Sequence, residues 1–161
     1  MDHLFSPWRY RYVSATKHDE GCIFCAKGAF VSEEADRANY VLTRGEHCFA
    51  LLNIYPYTGG HLMVAPYAHV GTLNTAGTEA LEELMRMTAK FEVALQRAYR
   101  PGGINIGMNV GEAAGAGVVG HIHMHVLPRW FGDVNFMTTV AETRVIPEDL
   151  ETAYAKLKAA L

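Results

Sequence analysis

The sequence is poor in cysteine and has no long apolar run. It contains three cysteines among 161 residues, and this small odd number argues against a framework of disulfides. No apolar run approaches the roughly 20 residues that a membrane-spanning helix requires, and the first residues lack the apolar core of a secretory signal. We therefore expect a cytoplasmic protein without a membrane segment. Cys48, inside an apolar run, is expected to be an ordinary core residue.

A strong charge of one sign is also missing. The formal net charge is -3, which provides none of the basic field that holds a nucleic-acid backbone. Nucleic acid is therefore not an expected partner. A small anionic ligand would have to be held by local hydrogen-bond donors instead.

Internal repeats and linkers rich in proline, glycine or serine are absent as well. We therefore predict a single domain over residues 1–161, in which residues 1–40 form an irregular N-terminal extension. Within that extension, an aromatic cluster around Trp8 either packs on the core or stacks on a nucleobase.

Hydrophobic periodicity predicts a hairpin followed by a long helix. Residues 47–53 and 61–65 are typical of two strands, and the segment IYPYTGG between them supplies turn residues. Over residues 78–100 apolar positions recur at intervals of three and four, which predicts a helix. Its predicted apolar face comprises Leu81, Leu84, Met85, Thr88, Phe91, Leu95 and Ala98.

Two further strands and a second helix follow. Strict alternation predicts strands over residues 104–110 and 121–127, and Pro147 with the acidic residues after it predicts the start of a C-terminal helix. The first of these strands would bury Ile104, Ile106, Met108 and Val110. This order of elements predicts an α+β fold built on an antiparallel sheet.

The second of these strands carries three histidines in the segment HIHMHVL. His121, His123 and His125 would project from one face, while the residues between them face the core. Such a row is compatible with a solvated polar face, with a three-histidine metal site or with a nucleophile and its partners. The histidines alone do not separate a ligand from a nucleophile.

The loop before these histidines favours phosphate chemistry. Four glycines, Gly111, Gly115, Gly117 and Gly120, permit backbone N–H groups to approach an anion closely. Residues 115–120 also fit G-x-G-x-x-G, but the loop leads into a strand rather than a helix, which excludes a Rossmann site. An imidazole beside a phosphate-binding loop indicates phosphoryl transfer.

A C-x-x-C pair, Cys22 and Cys25, lies in sequence that we expect to be irregular. A redox pair would follow a strand and open a helix, so zinc is the better interpretation. The pair supplies only two of four ligands, and a reduced pair without metal stays an alternative.

The run HIHMHVL followed by PRW resembles the signature of the histidine-triad (HIT) superfamily, over most of the chain from Cys22 to about Leu150. The segments LLNIYPYTGGHLMVAPYAH, NIGMNVG and PRWFGDVNF are most similar to the branch that contains diadenosine-polyphosphate hydrolases and phosphorylases. The resemblance implies a HIT-like fold with about five antiparallel strands, dinucleoside polyphosphates as the substrate class, and a homodimer.

The resemblance also implies roles for individual residues. The middle histidine, His123, would attack the α-phosphate and form a transient nucleotidyl-phosphohistidine, while His61, His121 and His125 orient and polarise the site. The residues expected to bind substrate are Asn53 at the ribose, Asn109 at the phosphates, and Gly115, Gly117 and Val118 in the loop. In zinc-containing members, the ligands that join the two cysteines correspond to His69 and His121, which implies a structural zinc site of Cys22, Cys25, His69 and His121.

One departure from the family pattern bears on the reaction. Gly117 and Val118 stand where many hydrolases have Gln followed by Ser or Thr, so those side-chain donors are missing and phosphorolysis gains support over hydrolysis. Alternatives are an adenine-nucleotide binding protein without turnover, a hydrolase of other nucleoside phosphate esters or phosphoramidates, and a zinc-dependent hydrolase. A galactose-1-phosphate uridylyltransferase is disfavoured, since that family typically has a shorter His-Pro-His signature and a longer chain.

Overall fold

The computed structural model describes residues 21–29, 31–135, 138 and 145–161. The aromatic cluster around Trp8 lies outside the described residues. Among the described helices, none has both the length and the apolar composition needed to cross a bilayer.

The described residues form a five-stranded antiparallel sheet with helices packed on it. In chain order the elements are α1 (Ile23–Ala29), α2 (Glu33–Ala38), β1 (Val41–Arg44), β2 (Cys48–Leu52), β3 (Leu62–Pro66), α3 (Thr78–Tyr99), β4 (Gly103–Met108), β5 (Met124–Arg129) and α4 (Leu150–Ala160). The strand order across the sheet is β1-β2-β3-β5-β4. The predicted α+β fold with about five antiparallel strands, a long helix and a C-terminal helix is therefore confirmed.

Alternation along β2 divides the core between the two faces of the sheet. Cys48, Ala50 and Leu52 belong to the larger cluster, which contains buried residues of α3 and α4. Phe49 and Leu51 belong to a smaller cluster on the other face, together with Phe24 of α1. The sheet therefore has helices α3 and α4 on one side and α1 on the other. Cys48 is fully buried, as predicted.

Helix α3 ends as its sequence predicts, but one residue of its predicted face is exposed. Arg100 follows the helix in the left-handed conformation, and Pro101 prevents its continuation. The residues that α3 buries are Ala80, Leu84, Met87, Thr88, Phe91, Ala94 and Leu95. Met85 is 55% exposed because one residue turns the helix by about 100° from the buried Leu84.

Strand β4 does not bury its predicted apolar face throughout. Ile106 is 44% exposed, whereas Ile104 and Met108 pack partly on the core. Ile106 is exposed because β4 lies at an edge of the described sheet, where its one partner is β5. Val110, which is 41% exposed, lies beyond the end of the strand at Met108. Alternation predicted the strand correctly but did not predict that it lies at an edge.

The N-terminal segment is more regular than predicted. Its described part, residues 21–29 and 31–40, contains α1 and α2. Ser32 caps α2 by accepting a hydrogen bond from the backbone N–H of Ala35. Both helices are too short for hydrophobic periodicity to indicate them. The sequence therefore predicted an irregular extension in this part of the chain.

Candidate active site and cysteine-histidine cluster

Four histidines meet where β5 runs beside β3. His125 lies on β5 opposite Met63 of β3, and His121 and His123 immediately precede the strand. The rings of His123 and His125 have centroids 4.9 Å apart. His61, the residue before β3, places its Nε2 atom 2.9 Å from Nδ1 of His125. The hairpin β2–β3 and the strand β5 thus bring together residues 61 and 121–125.

The hydrogen bond of His123 fixes where its proton resides. Its Nδ1 atom lies 2.9 Å from the carbonyl oxygen of His121, and because a carbonyl only accepts, Nδ1 donates. The Nε2 atom of a neutral His123 therefore keeps its lone pair. This is the tautomer that a nucleophilic imidazole requires.

A second chain of hydrogen bonds fixes the proton of His125. The backbone N–H of Tyr57 donates to Nδ1 of His61 over 3.1 Å, so the His61 proton resides on Nε2. That Nε2–H donates in turn to Nδ1 of His125, which leaves Nε2 of His125 as an N–H donor. The two neighbouring rings consequently offer opposite chemistry at Nε2, a lone pair on His123 and a donor on His125.

Burial keeps these imidazoles neutral. His121 and His123 are 0% and 4% exposed, so they are not the solvated polar face that was one interpretation of the row. Burial lowers the pKa of His123 although its hydrogen bond to the His121 carbonyl opposes the shift. Burial also lowers the pKa of His61 to about 3 and that of His125 to about 4. A neutral imidazole at position 123 is therefore available at physiological pH.

The protein is expected to lose stability as the pH falls below the ordinary histidine value of 6.5. The unfolded chain takes up protons on His61 and His125 near that pH, whereas the folded chain takes them up only near pH 3 and 4. The contribution of these two histidines to the free energy of unfolding is therefore complete above pH 6.5. It declines as the pH falls towards 3 and 4. Urea unfolding at a series of pH values measures this slope.

One variant assigns the pH dependence of stability to the site. His61→Asn should give a shallower decline with falling pH than the wild type. An identical slope in His61→Asn and the wild type would contradict the assignment.

Asn53 lies in this network. It is 9% exposed, its Oδ1 accepts the backbone N–H of Tyr55, and its Nδ2 lies 3.4 Å from Nδ1 of His61. The structure thus places Asn53 beside His61, where it helps to fix the tautomer of that ring. Its contact with a ribose stays a prediction.

The glycine-rich loop, residues 111–120, folds into a compact turn before His121. Gly111 and Gly115 both have a φ of 87°, a conformation that a side chain would strain. The N–H of Gly115 donates to the carbonyl of Glu112, and the Asn109 amide donates to the carbonyl of Gly115 over 3.2 Å. Asn109 therefore closes the loop, whereas Gly117 is exposed and Val118 packs partly on the smaller core cluster.

The two cysteines meet two histidines beside the triad. The Sγ atom of Cys22 lies 3.2 Å from Nδ1 of His121, and that of Cys25 lies 3.3 Å from Nδ1 of His69. The ligand atoms of Cys22, Cys25, His69 and His121 all lie within 4.8 Å of one another. The structure thus brings together the four residues that the sequence proposed as zinc ligands.

The surroundings of the C-x-x-C pair differ from the prediction. Cys22 directly precedes α1 and Cys25 lies in its first turn, so the pair opens a helix rather than lying in irregular sequence. A redox pair shares that placement, so the position of the pair at the start of α1 does not separate the two interpretations. The two imidazoles on the sulfur atoms are a feature of metal sites and not of redox pairs.

His121 has the tautomer that a metal ligand needs. Its Nε2 atom donates to the carbonyl oxygen of Pro66 over 2.8 Å, which leaves the lone pair of Nδ1 facing the cysteines. Its backbone carbonyl meanwhile accepts from His123. One residue therefore belongs to both the cysteine-histidine cluster and the triad.

Sequence reasoning missed three residues that build the site. Tyr57 sets the tautomer of His61 through its backbone N–H, Thr58 donates to the carbonyl of Pro128, and Phe24 packs on His123. Backbone donors and aromatic contacts between distant segments leave no pattern in the sequence. The only signal was the turn composition of IYPYTGG, which indicated a loop without its contacts.

Comparison with known proteins agrees with this arrangement. The profile of the HIT domain family matches residues 34–132, more than half of the chain. An AP-4-A phosphorylase of Mycobacterium tuberculosis is 36% identical over 152 residues, which cover 92% of this chain and 78% of that protein. The protein hit of Bacillus subtilis is 32% identical over 135 residues, 82% of this chain and 88% of that one.

A solved structure resembles the fold closely. A zinc-bound histidine triad family protein from Mycobacterium smegmatis superposes with a TM-score of 0.69 and 30% identity, covering 87% of this chain and 92% of that one. Together with the paired β3 and β5 strands and the row of histidines at the start of β5, these matches define the class of protein. The chain belongs to the HIT family.

Proposed function

We propose that the protein is a nucleotidyl transferase or hydrolase that acts on dinucleoside polyphosphates through a covalent intermediate on His123. The observation that carries the proposal is the pair of opposite tautomers, a lone pair on Nε2 of His123 beside an N–H on Nε2 of His125. A nucleophile and a donor side by side are what displacement at phosphorus requires.

The reaction takes two displacements. In the first, Nε2 of His123 forms a bond to the α-phosphorus while the bond from that phosphorus to the bridging oxygen breaks, and a nucleoside polyphosphate leaves. The N–H of His125 stabilises the charge that develops on the phosphoryl oxygens. In the second, water or inorganic phosphate attacks the phosphorus and the bond to nitrogen breaks, which restores His123.

The buried surroundings of His123 support this role. Its Nδ1–H stays hydrogen-bonded to the His121 carbonyl, which stabilises the positive charge that the ring gains when Nε2 bonds to phosphorus. His61 would hold His125 in the donor tautomer, and the loop residues Gly117 and Val118 would meet the phosphates. Burial of the ring also restricts the access of bulk water to the intermediate.

Phosphate is the acceptor that we favour in the second displacement. Gly117 and Val118 lack side-chain donors, which leaves space beside the α-phosphate for a second anion. The 36% identity to an AP-4-A phosphorylase points in the same direction.

Incubation with diadenosine tetraphosphate, with and without inorganic phosphate, tests the reaction. ADP and ATP formed only with phosphate are the expected products. AMP and ATP formed without phosphate would instead make the protein a hydrolase that uses the same intermediate. Binding of the dinucleotide without any product would contradict the proposal and favour a nucleotide-binding protein.

We also propose that Cys22, Cys25, His69 and His121 hold a structural zinc ion. Two thiolates and two imidazoles are a donor set that zinc prefers, and the four residues complete a site without help from substrate. A closed site of this kind cross-links α1 to the sheet and supplies no reactive position. The expected homodimer stays a prediction, for which β4 offers a strand at the edge of the sheet that the described residues form.

A further inference from the structure

Phe24 connects the cysteine pair to the nucleophile. It lies in α1 between Cys22 and Cys25, and its side chain is 1% exposed. Its ring centroid lies 4.7 Å from that of His123, at an interplanar angle of 34°. The same ring lies 5.1 Å from that of His121. One aromatic side chain therefore contacts both the first and the middle histidine of the triad.

The ring of His123 needs a second constraint besides its hydrogen bond. The bond from Nδ1 to the His121 carbonyl fixes one nitrogen, but the plane of the imidazole can still tilt about that bond. His125 meets the ring edge-on at an interplanar angle of 73°, and Phe24 covers it at 34°. Phe24 is thus the broad apolar surface against which the imidazole plane rests.

The position of Phe24 depends in turn on how α1 is held. A helix of seven residues has no stability of its own in water. It is held on the sheet by the burial of Phe24 and by the contacts of Cys22 and Cys25 with His121 and His69. The order of α1 is therefore tied to the orientation of the His123 ring, which rests on Phe24.

We propose that Phe24 is a positioning residue, which holds the imidazole of His123 in the plane that aims Nε2 at the α-phosphorus. The inference rests on the proposed role of His123 as nucleophile. Phe24 makes no contact with the reacting atoms in this account. Its loss is therefore expected to lower the rate of the chemical step and to leave substrate binding nearly unchanged.

Phe24→Leu tests the proposal, with Phe91→Leu as the matched control. Both substitutions remove a buried aromatic ring, but Phe91 lies in the larger core cluster on the other face of the sheet. Because a small misalignment of a reacting group costs about a hundredfold in rate, we expect Phe24→Leu to lower kcat by about ten- to a hundredfold. KM should change little in either variant, and Phe91→Leu should retain the wild-type kcat.

The imidazole ¹⁵N spectrum provides a readout that does not need turnover. In the wild type, His123 should give the signals of one neutral tautomer with its proton on Nδ1. Phe24→Leu should shift or broaden these signals, and Phe91→Leu should not. If the wild type has no activity on dinucleotides, the proposed function fails, but the spectrum still decides whether Phe24 positions the ring.

Three results would overturn the proposal. One is an unchanged His123 spectrum together with a wild-type kcat in Phe24→Leu. A second is a higher KM at an unchanged kcat, which would assign Phe24 to substrate binding. The third is a lower zinc content in Phe24→Leu than in the wild type, with kcat restored by added zinc, which would assign the effect to the metal site.

Discussion

Replacement of His123 by asparagine is expected to abolish turnover of dinucleoside polyphosphates. The asparagine amide can donate to the His121 carbonyl in place of Nδ1, but it has no lone pair that can attack phosphorus. The expected fall in kcat is about four orders of magnitude or more, since the covalent route is lost altogether. Steady-state kinetics with diadenosine tetraphosphate and phosphate measures it.

Asparagine is a better replacement than alanine because His123 is buried against Phe24. The alternation of HIHMHVL places His123 on the strand face opposite the core residues, where alanine would be harmless to the fold. In the structure, alanine would leave a cavity and an unpaired carbonyl. His47→Asn, outside the site, is the control that should retain full activity. Substantial turnover by a folded His123→Asn would contradict the assigned nucleophile.

Replacement of both Cys22 and Cys25 by serine is expected to remove zinc and to destabilise the fold. A ligand that binds only the folded state at a concentration a hundredfold above its Kd stabilises it by about 3 kcal/mol. For a domain of this size, that loss lowers Tm by about 6 to 12 °C. Elemental analysis of protein purified without chelator, together with thermal unfolding, measures both effects.

Cys48→Ala serves as the control for the loss of a cysteine. Cys48 lies in the larger core cluster, away from His69 and His121, so this variant should keep the zinc content of the wild type. A wild type that contains no zinc, or a double serine variant that keeps it, would contradict the proposed metal site.

The parts of the fold that depend on periodicity could be predicted from the sequence. Alternation located the β2–β3 hairpin, and spacing of three and four located α3 almost to the residue. The exposure of Ile106 on β4 could not be predicted, because it depends on the order of strands in the sheet. A pattern along one strand carries no information about which neighbours that strand has.

The candidate site was predictable in composition but not in mechanism. The row of His121, His123 and His125 was visible in the sequence, and the resemblance to HIT proteins suggested the pairing of Cys22 and Cys25 with two histidines. The burial of the triad was not visible, because α1 lies about a hundred residues earlier in the chain. The tautomers depend on backbone groups of Tyr57 and His121, whose positions only the folded chain reveals.

The covalent intermediate is the central claim, and trapping it is the most direct test. Wild-type protein is mixed with diadenosine tetraphosphate without phosphate, and the reaction is stopped at alkaline pH because the bond between phosphorus and nitrogen is labile in acid. Peptide mass spectrometry should then find one adenosine monophosphate on His123, which disappears when phosphate is added before the reaction is stopped. Turnover without any adduct, or an adduct on His125 or His61 instead, would contradict the account.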